Sequence, residues 1–190
     1  VKTVQFKNPT YVGDPINAVR IFNTKEVDEL VLLDITATEE NRSPQFDLIA
    51  KISDECRMPL SVGGGVRSMD DIRRLLNGGA EKVVLKTHAI RDPNLVEQAA
   101  SEMGSQSIIV SIDAKRNPKG HYEVFIEGGK RPSGHDPVEL AKLMEEKGAG
   151  EIFLNSIDRD GTMSGYDVEL IRQVSEAVNI PVIACGGAGK

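Results

Sequence analysis

The chain has 190 residues, with 39% hydrophobic and 27% charged side chains, enough for a substantial apolar core and too apolar for a disordered polymer. Its 29 acidic and 23 basic residues leave a net charge of −6, which argues against a broad nucleic-acid surface but permits a local anion site. No apolar run approaches the roughly 20 residues that span a bilayer, no signal peptide opens the chain, and the default expectation is a cytoplasmic protein.

Strand-length apolar runs recur along the chain: "ELVLLDI" (29–35), "MPLSV" (58–62), "EKVVLK" (81–86), "SIIVSID" (107–113), "EIFLNS" (151–156) and "IPVIAC" (180–185). They are rich in Val, Ile and Leu and do not alternate, as expected of parallel strands covered by helices. Helical segments fall near 14–24, 44–56, 69–78, 92–103, 136–148 and 167–178. In "SMDDIRRLLNGGA", Ser68 caps, Asp70 and Asp71 suit the first turn, Ile72, Leu75 and Leu76 form an apolar stripe, and Gly78 or Gly79 stops the helix. The βα alternation predicts a parallel sheet. Between Asp113 and Asp136 the rhythm breaks, and "HYEVFIEGG" reads as a small antiparallel hairpin inserted after a strand.

The second half restates the first. Glu29 and Pro59 are 30 positions apart, as are Glu151 and Pro181, the second pair lies 122 positions after the first, and Gly64 and Gly65 match Gly186 and Gly187 at that same offset of 122. This predicts an α/β fold, a (β/α)8 TIM barrel with a two-fold half-barrel repeat, occupying 1–190 as one domain. Six strands are visible where a barrel of about 250 residues has eight, and the chain begins without Met and stops after its second glycine cluster. A first strand before Val1 and a last βα unit after Lys190 are therefore expected to lie outside this sequence.

Glycines at a strand end followed by a helix start let backbone N–H groups approach an anion. A lone cluster serves equally as a tight turn. Two at repeat-related positions, Gly63–Gly65 and Gly186–Gly189, point to a ligand with two phosphates. Aspartates end three strands: Asp34, Asp113, and Asp158 or Asp160. A carboxylate at a barrel mouth can move protons or bind hydroxyls, and Asp113, at the end of an apolar run, is the candidate general acid or base. Asp160, beside Gly161, suits loop bracing. Lys86 and Thr87 could face the mouth, for phosphate or hydroxyl contact. His121 and His135 read as solvated, and His88 follows a strand end. Cys56 and Cys185 lack CxxC spacing or nearby histidines, so no metal and no disulfide is expected. Cys185 reads as a small residue lining a turn.

The stretches "DELVLLDITAT", "VGGGVRSMDDI", "VSIDAKR", "GAGEIFLNSIDRDGTMSGYD" and "IPVIACGGAGK" resemble the HisF family, the cyclase subunits of imidazole glycerol phosphate synthase, over nearly the whole chain. The related HisA isomerases match less well. The resemblance implies a barrel that takes ammonia from a glutaminase partner docked at its N-terminal face. It implies the conversion of a bis-phosphorylated ribulosyl aminoimidazole carboxamide nucleotide to imidazole glycerol phosphate and aminoimidazole carboxamide ribotide, with no cofactor. By the same resemblance Asp113 is a general acid, Lys2 belongs to a mobile first loop, and Asp34 binds substrate. Gly64, Gly65, Thr87, Asn155, Asp160, Gly161, Gly186 and Gly187 fall in the substrate and phosphate contacts, while Glu29, Lys82 and Glu151 form an ammonia gate. Three positions depart from the family: Lys86 replaces Asn, Asn155 replaces Thr, and Cys185 replaces Ser. The first thirty residues are similar to a HisF-like subgroup of the WbuZ type, associated with ammonia-dependent amidination of surface-polysaccharide sugars. A barrel that only activates a glutaminase is the remaining alternative.

Overall fold

The computed structural model describes residues 1–189. Lys190, last of the second glycine stretch, lies outside the described residues. Among the described residues, ten strands and seven α-helices follow in chain order: β1 (Lys2–Val4), β2 (Lys7–Thr10), α1 (Pro15–Thr24), β3 (Leu30–Leu33), α2 (Phe46–Glu55), β4 (Leu60–Gly63), α3 (Met69–Asn77), β5 (Lys82–Leu85), α4 (Thr87–Arg91), α5 (Asn94–Met103), β6 (Ile108–Arg116), β7 (Tyr122–Ile126), β8 (Arg131–Pro132), α6 (Pro137–Glu146), β9 (Glu151–Ser156), α7 (Val168–Ser175) and β10 (Val182–Cys185). The six expected strands form one parallel path in the order β10-β9-β6-β5-β4-β3. This is the curled sheet of a (β/α) barrel.

Local chemistry accounts for the helices. In α3, Ser68 Oγ accepts from the Asp71 amide, and Ile72 and Leu75 are fully buried. Burying such a side chain contributes about 1.5–3 kcal/mol. The internal repeat is also written into the caps. Asp14 accepts from the amides of Ile16 and Asn17 at the start of α1, and Asp136 accepts from Val138 and Glu139 at the start of α6; each is followed by Pro in the first turn. Each of these helices has ten residues, and Lys25 and Lys147 occupy matching C-caps.

Helices cover the outer face of the sheet and build the large core cluster. A smaller cluster of Val84, Ile109 and Phe153, packed with Val31, Ile183 and Cys185, lies on the inner face. With period two, the inner face runs from Glu29, Lys82 and Glu151 at the strand starts, through that apolar layer, to Lys86, Ser111, Asp113 and Asn155 at the strand ends. Side chains filling a barrel in layers are the expected packing of such an interior.

Three features differ from the sequence-based expectation. The chain opens with a hairpin: β1 pairs with β2 through a two-residue turn in which Gln5 and Phe6 both have positive φ, the geometry that matches strand twist. Lys86 does not extend the strand, because β5 stops at Leu85 and the short helix α4 begins at Thr87. Asp158 and Asp160 do not end a strand either: β9 stops at Ser156, and both lie in the turn that follows. The inserted hairpin is present as β7 and β8, and β6 runs three residues past Asp113 to pair with β7.

Candidate active site at the strand ends

The strand ends enclose a pocket of about 310 Å³. Of the residues singled out from the sequence, Asp34, Gly64, Gly65, Thr87, Asn155, Asp160 and Asp113 line it, together with Lys86, His88 and Cys185. Lys2, Gly161, Gly186 and Gly187 do not line it. Thr3, Phe6, Glu39, Ser111 and Phe153 line it without having been expected.

Asp113 is placed by β6, where the strand is shared between two partners. It lies opposite Asn155 of β9 on one side and Phe125 of β7 on the other. Its side chain is 4% exposed and forms an ion pair with Lys86 Nζ. Burial pushes the Lys86 ammonium down to about 8. Asn155 Oδ1 is buried with no hydrogen-bond partner, an acceptor left for a donor. Burial also raises the Cys185 thiol, so a reactive thiolate is not favoured there.

Asp34 occupies the opposite flank. Arg42 grips it with Nη1–Oδ2 at 2.6 Å and Nη2–Oδ1 at 3.1 Å, and the amides of Thr36 and Ala37 donate to Oδ1. Burial would raise this carboxyl, yet the hydrogen bonds from Arg42, Gln45 and Thr36 hold it below the ordinary range. Asp160 braces the opening hairpin: Thr3 Oγ1 donates to its Oδ2 at 2.7 Å and the Phe6 amide at 3.2 Å. Gly161 makes this approach possible, because a Cβ there would stand 2.0 Å from the Thr3 carbonyl oxygen. Thr87 Oγ1 accepts from the Glu127 amide of the inserted hairpin at 3.4 Å, and burial together with Arg67 and Arg91 lowers His88.

The two glycine turns repeat in geometry as well as in sequence. Gly64 and Gly65 have φ +101° and +73°, Gly186 and Gly187 +90° and +94°. A Cβ on Gly64 would meet the Asp34 carbonyl oxygen at 2.3 Å, and one on Gly186 the Ser156 carbonyl oxygen at 2.5 Å. Asp34 and Ser156 are themselves repeat-related. Glycine is required in both turns for positive φ and for close backbone approach.

At the opposite end of the sheet, Lys82 Nζ lies 2.7 Å from Glu151 Oε1 and 3.2 Å from Glu29 Oε2, and Ser61 Oγ donates to Glu29 Oε1 at 2.6 Å. Burial alone would lower Lys82, but its two carboxylate partners raise it. Among the described residues no group of His, Cys, Asp and Glu is arranged to hold a metal ion, and no helix is long and apolar enough to cross a membrane.

Comparison with known proteins agrees with this architecture. "Putative imidazole glycerol phosphate synthase subunit hisF2" of Pseudomonas aeruginosa is 50% identical over 189 residues, covering 100% of this chain and 75% of that protein. Proteins named "Putative imidazole glycerol phosphate synthase subunit HisF" from Leptospira interrogans and Leptospira borgpetersenii are each 47% identical over 190 residues, with the same coverage. The profile described as "Histidine biosynthesis protein" matches residues 1–190. A parallel barrel sheet, repeated glycine turns and similarity to HisF-named proteins over the whole of this chain agree, and the chain belongs to the histidine biosynthesis protein family.

Proposed function

We propose that the protein is an ammonia-using lyase/cyclase, the synthase subunit of imidazole glycerol phosphate synthase. In this reading it converts the bis-phosphorylated ribulosyl aminoimidazole carboxamide nucleotide to imidazole glycerol phosphate and aminoimidazole carboxamide ribotide, in the cytoplasm. The observation that carries the reading is the layered interior of one barrel. A charged ring of Glu29, Lys82 and Glu151 at the strand starts leads through an apolar layer to Asp113 in a pocket at the strand ends. Ammonia delivered by a glutaminase subunit at the strand-start face would enter past the ring. A neutral molecule crosses an apolar layer that would reject ammonium. Gly64 and Gly65 serve one phosphate, and Gly186 and Gly187 the second. Asp34, Thr87, Asn155 and Asp160 orient the substrate, and Lys2 and Gly161 act through the opening hairpin.

Purified protein supplied with ammonium and the bis-phosphorylated nucleotide is expected to release both products, and Asp113→Asn to abolish release. Turnover that is unchanged by Asp113→Asn sinks the role given to that residue. A second reading, amidination of a phosphorylated or nucleotide-linked sugar by the same ammonia route, is favoured by Lys86 beside Asp113. It predicts no turnover of the bis-phosphorylated nucleotide and consumption of ammonium only when a sugar is supplied.

A further inference from the structure

We propose that a second cavity, beside the first glycine turn, is an anion subsite built on Arg67 and Arg91, and that it takes the outer phosphate of a diphosphate ester whose other phosphate sits at Gly64 and Gly65. This rests on the phosphate role given above to that turn, and it gives the second reading a substrate class, a sugar carried on a nucleoside diphosphate. The cavity measures about 410 Å³. Four elements meet around it: the loop after β3, the turn after β4 with Arg67, helix α4 with His88 and Arg91, and the inserted hairpin with Glu127 and Lys130. Thr38, Glu39 and His88 line both this cavity and the pocket at the strand ends, so the two adjoin. Arg67 follows Gly65 by two residues.

Arg67 is held in place with one donor unused. Its amide donates to Asp71 Oδ2 at 3.0 Å and its Nη1 to Asn41 Oδ1 at 2.7 Å. Its Nη2 is buried and has no hydrogen-bond partner among the described residues. A buried donor of this kind calls for an acceptor. The two carboxylates lining the cavity are engaged already: Glu39 pairs with Lys130, and Glu127 with Arg91 and Arg131. The Arg67 guanidinium hydrogen-bonds only to a neutral side chain, so the cavity carries a surplus of positive charge. His88 registers that surplus, because burial, Arg67 and Arg91 together lower its imidazole against the opposing pull of Asp71. A fixed guanidinium fork matches the oxygens of a phosphate. The Arg91–Glu127 pair is part-exposed, where an ion pair is worth little, so Arg91 can exchange it for a ligand while Arg131 stays with Glu127.

Placement points to adjacent phosphates rather than to two separate ones. Separate phosphates are met by the two glycine turns, one in each half of the repeat. A diphosphate needs a backbone turn and a cationic pocket side by side, and the chain provides that pairing in its first half alone. At the repeat offset of 122, the counterpart of Arg67 is Gly189, which has no side chain to offer. The cation nearest the second turn, Arg159, donates through Nη1 to Ser164 Oγ at 3.1 Å. The half-barrels therefore share a turn for one phosphate and differ in what stands next to it.

Isothermal titration calorimetry with inorganic phosphate and inorganic pyrophosphate, at one fixed ionic strength, tests the subsite without any reaction. Pyrophosphate is expected to bind wild type about tenfold tighter than phosphate or better, and to shift the NMR signals of the His88 imidazole. Arg67→Gln is expected to bring pyrophosphate down to the affinity of phosphate, leaving phosphate within about twofold of wild type. Arg91→Gln, expected to weaken pyrophosphate about fivefold or more, serves if Arg67→Gln does not fold by circular dichroism. Equal affinity for the two anions in wild type, or a pyrophosphate preference that survives in the folded variants, overturns the subsite. If phosphate does not bind wild type while pyrophosphate binds through Arg67, the role of the glycine turn fails and the subsite stands. At least one common ribonucleoside diphosphate is expected to displace pyrophosphate; if none does, the diphosphate-ester assignment falls.

Discussion

One strand of this barrel carries a lysine at each end, and the two differ in everything but residue type. Lys82 opens β5 between two carboxylates, Glu29 and Glu151, which hold it above the ordinary lysine range despite burial. Lys86 follows the last residue of the same strand, has one carboxylate partner in Asp113, and is pushed down to about 8 by burial. Two counter-ions make a permanent cation, suited to a fixed electrostatic ring. One counter-ion leaves a cation that can lose its proton. Chain position along a strand thus separates structural charge from exchangeable charge, because the two ends of a barrel differ in which neighbours meet.

The largest expected effect is kinetic and falls on one end only. Asp113→Asn should lower ammonium-dependent turnover by about 10³-fold. Lys82→Met should leave ammonium-dependent turnover near wild type while cutting glutamine-dependent turnover with a glutaminase partner by about tenfold. Equal losses in both assays for Lys82→Met would erase the distinction between the two ends.

Stability gives the next contrast. Lys86→Met strands the Asp113 carboxylate, which is 4% exposed, and should cost about 2–3 kcal/mol in urea denaturation. That is somewhat below the 3–5 kcal/mol of a fully buried broken pair, because Lys86 keeps 26% of its side chain exposed. Adding Asp113→Leu should recover most of the loss, since two apolar residues replace a desolvated pair. If the double variant is no more stable than the single one, the cost lies in packing rather than in charge.

A third expectation concerns acid. The Asp34 carboxyl is held below its ordinary value in the folded chain, so its ion pair with Arg42 stabilises fully above the unfolded value of about 3.9. That stability is lost as pH falls through the folded value. Thermal denaturation between pH 7 and pH 2.5 should show a steeper acid loss for wild type than for Arg42→Ala, while the two run parallel above pH 5. The smallest effect is at the strand starts: Ser61→Ala removes the 2.6 Å bond to Glu29 and should cost about 1 kcal/mol, with no effect on ammonium-dependent turnover.

Much of the fold was legible because it is local. Ser68 announces its helix through its cap, the helices near 14–24 and 136–148 form with caps at Asp14 and Asp136 that only the structure identified, and the Val- and Ile-rich runs form the strands of the parallel sheet. The opening hairpin was not legible. Its turn places two non-glycine residues at positive φ, and it is held by Asp160, 154 positions from Phe6. The end of β5 differs from the run to Lys86 because the strand stops with its last apolar residue, Leu85, and Thr87 begins a helix. At the candidate site, Asp113 could be named from the apolar run leading into it, and the glycine turns from their repetition. The ring of Glu29, Lys82 and Glu151 was identified only through family resemblance, since strand starts 122 positions apart meet only when the sheet curls.

By itself the sequence determined the βα order, the helix caps and the two glycine turns, all of which depend on neighbours a few residues away. Pairing between strands decided the rest. It set Lys82 between two carboxylates and Lys86 against Asp113. A side chain's charge behaviour follows from the groups around it in space and from its distance to water, and neither is written along the chain.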